Sequence, residues 1–175
     1  MHAAVLPYGE LIEPASLRLE RLLPAPPGKV WAYLTDSELR RQWLASGDMV
    51  LEPGAPFEFV WRNDELTDPP GRRPAGFEAQ HIMKNRIIKA DAPRELVISW
   101  GENGEVSFVL TPEGQNTRLV LIHKRAPSPD ILLNVSAGWH AHLDVRMAQL
   151  GGTKAKPHWD NWLALKQDYK ARFGV

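Results

Sequence analysis

Two helical stretches bracket a run of strands, and this order restricts the fold more than any other feature of the chain. Residues 18–44 read as a strand, a proline-punctuated break and two short helices; the first helix carries Val30-Trp31 and the second ends in Trp43-Leu44. Far downstream, residues 132–150 read as one long amphipathic helix containing Gly138-Trp139. Only strand-like segments lie between. An antiparallel sheet with one apolar face must cover that face, and helix 132–150 is the element long enough to do so. One straight helix does not fill a strongly curved sheet, so either large side chains close the gap or a hollow remains. Ligand sites have this concave, mostly apolar form.

The local signals place the elements. Residues 15–23 alternate as a strand, with Leu17, Leu19 and Leu22 as its apolar side and Arg18, Glu20 and Arg21 as its polar side. The run Pro24-Ala25-Pro26-Pro27-Gly28 ends it, and proline in a first turn starts a helix at Pro26 or Pro27. Asp36 or Ser37 caps the next helix. Residues 48–52 read as a weak strand closed by Pro53-Gly54. Phe57, Phe59 and Trp61 share one strand face, the clearest period-2 signal in the chain. Residues 63–76 form a loop rich in Pro, Gly and charge, of a length that is often functional or mobile. A long bent strand over 77–90 follows, then strands carrying Leu96, Ile98 and Trp100, then Val106, Phe108 and Leu110, and last residues 117–124. The short turns between them favour antiparallel neighbours. Gly151-Gly152 stops the long helix, and a final helix over 158–173 carries Trp159, Trp162, Leu163, Leu165, Tyr169 and Phe173. The expected architecture is α+β: a six- to seven-stranded antiparallel sheet wrapped around a long helix, two short helices after the first strand, and an extra C-terminal helix. Residues 1–14 read as a leader and 15–175 as a single domain, with its core at 15–150 and a helical extension at 153–175.

Charge and composition narrow the function. The 21 basic and 21 acidic residues balance, so there is no electrostatic footprint for nucleic acid. No apolar run has the length of a membrane span, and the first residues make a poor secretory signal; the reading is a soluble, cytoplasmic protein without membrane insertion. The absence of cysteine excludes disulfides, thiolate zinc sites and cysteine nucleophiles. Among the six histidines, His140 and His142 are two apart and do not face each other on a helix. His140 and Asp144 are four apart, but the rest of a helical zinc motif is missing, so no metal is expected. No serine sits in a nucleophile elbow, and the glycine pairs are turn glycines rather than phosphate cradles. No cofactor is expected.

Arg21-Leu22-Leu23-Pro24-Ala25-Pro26, then Val30-Trp31, Leu34-Thr35-Asp36 and Trp43-Leu44, and late in the chain Gly138-Trp139 with Leu143, resemble the helix-grip proteins of the START/Bet v 1-like (SRPBCC) superfamily. Within it the chain is similar to the branch that resembles activators of heat-shock-protein-90 ATPase. The resemblance implies a deep apolar cavity between the long helix and the concave sheet. Its implied lining is Trp43, Phe57, Phe59, Trp61, Phe77, Trp100, Phe108, Trp139 and Leu143, with His81 and His140 as polar contacts. No catalytic motif transfers residue by residue. The leading expectation is therefore a non-catalytic domain that binds a hydrophobic or amphipathic small molecule such as a lipid or polyketide. Two alternatives stand beside it: a cyclase- or aromatase-like enzyme with His140 as the proton-moving group, and a chaperone or regulatory partner implied by the family label alone. A homodimer through the exposed sheet face or the final helix is compatible with the pattern.

Overall fold

Alternating apolar side chains build one antiparallel sheet. The computed structural model describes residues 4–13 and 15–175. Among these, the strands are β1 (Glu10–Glu13), β2 (Ser16–Leu23), β3 (Pro56–Trp61), β4 (His81–Asp91), β5 (Glu95–Trp100), β6 (Gly104–Glu113) and β7 (Asn116–Lys124), in the spatial order β1-β2-β7-β6-β5-β4-β3. Leu17, Leu19 and Leu23 of β2, Val106, Phe108 and Leu110 of β6, and Leu119 and Leu121 of β7 are buried on one face. Leu121 pairs with both Leu19 and Phe108, so the three central strands present their apolar residues in step.

Helix α1 (Pro27–Thr35) starts with proline in its first turn, and α2 (Ser37–Arg40) is capped by Asp36, whose Oδ1 accepts the Leu39 amide at 3.0 Å. The long helix α3 (Pro129–Gly151) begins at Ser128, whose hydroxyl accepts the Ile131 amide at 3.2 Å, and stops at Gly152 in the left-handed region (φ 67°). Helix α4 (His158–Phe173) follows.

α3 is buried on two sides. Leu132, Trp139 and Leu143 join the core against the sheet, while Leu133, Ala137 and Ala141 pack with Trp159, Trp162, Leu165 and Tyr169 of α4. The small side chains of Ala137 and Ala141 are what let the second helix lie close. The apolar stripe legible in the sequence is the sheet-facing one; the alanine face carries little hydropathy signal.

Three expectations are corrected at the element level. Residues 48–52 form no strand: the chain leaves the sheet after the isolated bridge between Ser46 and Val60. Gly47 (φ 134°) makes that exit, and a Cβ there would lie 1.7 Å from the Glu58 carbonyl oxygen. The strand expected over 77–90 begins only at His81, because Phe77 is turned onto α4. In β2 it is Arg21 and Leu23, not Leu22, that are buried. Arg21 donates to the carbonyls of Leu6, Pro7 and Glu20, so the segment before β1 satisfies its guanidinium. Pro14 and residues 1–3 of the expected leader lie outside the described residues.

Candidate functional site

Edge-to-face aromatic rings run from β3 across the sheet to α3. Phe57, Phe59 and Trp61 succeed one another with ring centroids 5.0 and 5.3 Å apart. Trp61 meets Trp100 at 5.9 Å, Trp100 meets Trp139 at 5.3 Å, and Phe108 closes on Trp139 at 5.6 Å. The inner part of this series is solid: Phe57, Phe59, Phe108, Trp43 and Leu143 are buried in the core. The Trp61–Trp100–Trp139 end is not. There a hollow of about 180 Å³ opens between the sheet, α3 and α4, bordered by Trp61, Trp100, Trp139, Gly138, His142, His158, Trp159 and Trp162 among others. A wider cavity of about 480 Å³ adjoins it, sharing Trp61, Asn63, Phe77, Trp100 and Trp159 and adding Gly76, Glu78, His81 and Met83.

Three residues that border the inner hollow carry buried polar atoms without a partner. Among the described residues, the buried side-chain polar atoms with no hydrogen-bond partner are Asn63 Oδ1, Asn134 Oδ1 and both ring nitrogens of His158. All four belong to residues that border this hollow, and Asn63 borders the wider cavity as well. Native interiors pair almost all such groups, and an unpaired one costs about 1–3 kcal/mol. His142 is different: its Nδ1 lies 2.8 Å from the Trp43 carbonyl oxygen. A carbonyl only accepts, so Nδ1 carries the proton and Nε2 is left as an acceptor. Burial pushes the His142 pKa down to about 4. His158, its ring 4.7 Å from that of His142, is pushed down to about 2, first by burial and then by the neighbouring imidazole. Both rings are neutral at pH 7.

The roof of the hollow is held by the long loop. Proline at the α4 N-cap offers no side-chain cap, so the loop satisfies the first turn instead. Thr67 Oγ1 accepts the His158 amide at 2.9 Å and the Pro70 carbonyl accepts the Trp159 amide at 3.0 Å. Asp160 Oδ1 accepts the Arg72 amide at 3.0 Å. Gly71 (φ 81°) permits this approach, since a Cβ would lie 2.8 Å from the Asp160 nitrogen. Asp64, paired with Arg73, accepts the Trp159 indole N–H at 2.7 Å, and Phe77 packs on Trp159 and Trp162 at 5.4 and 5.1 Å.

The expected lining therefore divides. Trp61, Trp100 and Trp139 border the inner hollow, Phe77 borders both cavities, and His81 borders the outer one. Trp43, Phe57, Phe59, Phe108 and Leu143 fill the space beside it rather than facing it. His140 is the clear correction. It lies on the α4 side of α3, its Nδ1 2.8 Å from the Tyr169 hydroxyl, away from the hollow. Its ring faces Tyr169 and is absent from the lining of the hollow, and burial pushes its pKa down to about 4. His142, two residues on, is the histidine that reaches the hollow. Sequence reasoning missed His142, His158, Asn63 and Asn134 because each reads as an ordinary polar residue until α4 is laid over α3. Among the described residues no group of His, Asp and Glu is arranged to hold a metal ion, and no helix is long and apolar enough to cross a membrane.

A curved antiparallel sheet gripping a long helix, with an aromatic-walled hollow at one end of the grip, defines a helix-grip protein of the START/Bet v 1-like superfamily. The chain belongs to the Activator of Hsp90 ATPase homolog 1-like family, whose sequence model matches residues 24–151. A Bordetella parapertussis protein solved by NMR is 35% identical, with 94% of this chain and 90% of that chain covered and a TM-score of 0.79. The crystal structure of CalU16 from Micromonospora echinospora (23% identity, 94% and 93% covered, TM-score 0.64) and that of a conserved Enterococcus faecalis protein (18% identity, 91% and 84% covered, TM-score 0.65) share the fold. No curated protein matches the chain. His158, Trp159 and Trp162, which form much of the cavity roof, lie beyond the residues matched by the family model.

Proposed function

We propose that this protein binds a hydrophobic or amphipathic small molecule in the paired cavities beneath α4, without catalysing a reaction on it. The observation that carries this reading is the coincidence of an aromatic-walled hollow with the unpaired polar atoms of Asn63, Asn134 and His158. A protein that only needed to fill this space would place apolar side chains there. Removing about 200 Å² of apolar ligand surface from water contributes about 5 kcal/mol before association costs. The outer cavity, with Glu78 and His81 at its margin, gives the ligand its route from solvent.

Native mass spectrometry of the intact protein against a panel of polycyclic aromatics, polyketide mimics and fatty acids tests this reading. Adducts of one to one stoichiometry are expected for at least one aromatic class. Gly138→Leu is the blocking control. A Cβ at Gly138 meets nothing closer than Trp162 Nε1 at 3.9 Å, so the new side chain extends into the hollow, and a leucine raises helix propensity by about 0.8 kcal/mol. The variant is expected to keep or raise its melting temperature and lose the adducts. Empty protein across the whole panel contradicts the proposal.

A further inference from the structure

We infer that Gly9, Tyr169 and His140 form a proton-controlled latch: it fastens the segment before β1 onto α3 and α4, and it lets go when His140 gains a proton. The latch needs no ligand in the cavities. Residues 6–9 lie against both helices, and Gly9 is their buried anchor, its amide donating to the Tyr169 hydroxyl at 2.8 Å. A Cβ at this position would lie 2.6 Å from Leu17 Cδ1 and 3.4 Å from that hydroxyl oxygen, so glycine is what lets the amide reach it. Tyr8 packs edge-on against His140 and Tyr169 at 5.2 and 5.5 Å, lies under the Arg172 guanidinium and donates to Asp168 at 2.8 Å. Arg21 holds the Leu6 and Pro7 carbonyls from β2.

The donors fix the direction of each bond. A backbone N–H only donates, so the Tyr169 oxygen accepts from Gly9 and directs its own proton to His140 Nδ1, 2.8 Å away. Nδ1 is then the bare nitrogen, and the ring proton sits on Nε2, which faces Asp144 at 3.8 Å. A phenolic proton lies in the plane of its ring, in one of two positions. A proton added at Nδ1 turns that nitrogen into a donor and drives the Tyr169 proton to the other position, where the Gly9 N–H already points. Two donors then oppose each other, and the amide is displaced. Burial is the main force keeping His140 neutral, at a pKa of about 4; Arg21 and Arg172 also oppose the added proton, and Asp144 and Asp168 favour it. Tyr169, pushed up to about 12 by burial, stays an undissociated phenol. A ring that regains water as the segment lifts returns toward the ordinary 6.5. The open form therefore binds protons more tightly than the closed one, and opening becomes easier as pH falls from 6.5 toward 4.

Amide hydrogen exchange of the intact protein, read as protection factors at pH 7, 6 and 5, tests the latch. Protection at Gly9 is expected to fall by about fivefold to twentyfold from pH 7 to pH 5. The β6 and β7 amides are expected to stay better protected than Gly9 at each pH, which marks the opening as local. In His140→Asn the side-chain oxygen replaces Nδ1 as the acceptor but does not titrate. That variant is expected to protect Gly9 within about threefold of the native protein at pH 7 and to hold that value, within about twofold, down to pH 5. Tyr169→Phe keeps the ring and removes the oxygen, and is expected to lose most of the Gly9 protection at every pH. A flat Gly9 profile in the native protein overturns the latch, as does Gly9 protection equal to that of β6 and β7. So does a native slope that persists in His140→Asn, or native protection in Tyr169→Phe. Should a variant not fold, the native profile decides alone.

Discussion

Arg40 is among the largest fully buried side chains of the molecule, at 1% exposure. Its guanidinium donates to the carbonyls of Ala45 and Leu34 at 2.9 and 3.0 Å and to that of Gly47, and it lies over the Phe59 ring. It ties the turn after α2 to the base of the aromatic series. Burial lowers its pKa to about 10, so it stays charged at pH 7. Arg40→Met leaves two buried carbonyls and the half-buried one of Gly47 without that donor and is expected to cost about 3 kcal/mol in denaturant unfolding; an unchanged midpoint contradicts this. The buried histidines give a second residue-level prediction. His123, His140 and His142 are held at about 4 and His158 at about 2, each chiefly by burial, from an ordinary 6.5. His140 also faces Asp144, Arg21, Asp168 and Arg172. Below pH 6.5 the unfolded chain takes up protons that the folded chain refuses. Stability is therefore complete above about pH 6.5 and falls as pH drops toward 4, by up to about 1.4 kcal/mol per pH unit for each ring. Equilibrium unfolding at pH 7, 6 and 5 reads the slope; a flat profile over that range contradicts it. The sequence showed the inward rings of β3 and β5 by alternation. It did not show which rings had empty space before them, because period 2 reports a face and not its filling. His140 and His142 were not separable, because α3 has two buried sides.

Helix α4 and the loop over residues 63–77 act as one unit. The loop supplies the caps that Pro157 does not, and Asp64 links it to the Trp159 indole at 2.7 Å. Asp64→Ala removes that acceptor and the Arg73 partner together. Faster amide exchange is expected at Arg72 and Trp159, whose amides bond Asp160 and the Pro70 carbonyl, with the central strands β6 and β7 unchanged. Exchange equal to that of the native protein at those two amides contradicts the coupling. The final helix was legible from its spacing of Trp, Leu and Tyr, and the loop from its Pro, Gly and charge. Their contact was not, because it rests on backbone carbonyls and a single glycine, Gly71, which carry no hydropathy. The same contact explains why β4 begins only at His81: Phe77 is drawn to Trp159 and Trp162 instead of continuing the sheet.

At the scale of the molecule, the grip itself was readable from element order, and the family match covers α1, α2, β3 to β7 and α3 of it. The site was readable only in part, because its roof and its polar atoms come from α4 and the loop. The seven tryptophans now serve as reporters. Trp61, Trp100, Trp139, Trp159 and Trp162 border the inner hollow, whereas Trp31 and Trp43 do not. The most direct test is a nitrogen–proton correlation spectrum of the seven indole groups during titration with naphthalene and with 2-naphthol. A bound ring at the proposed place shifts the signals of the five bordering tryptophans and leaves Trp31 and Trp43 in position. Shifts confined to Trp31 and Trp43, or none at all with either compound, contradict the cavity as the binding site.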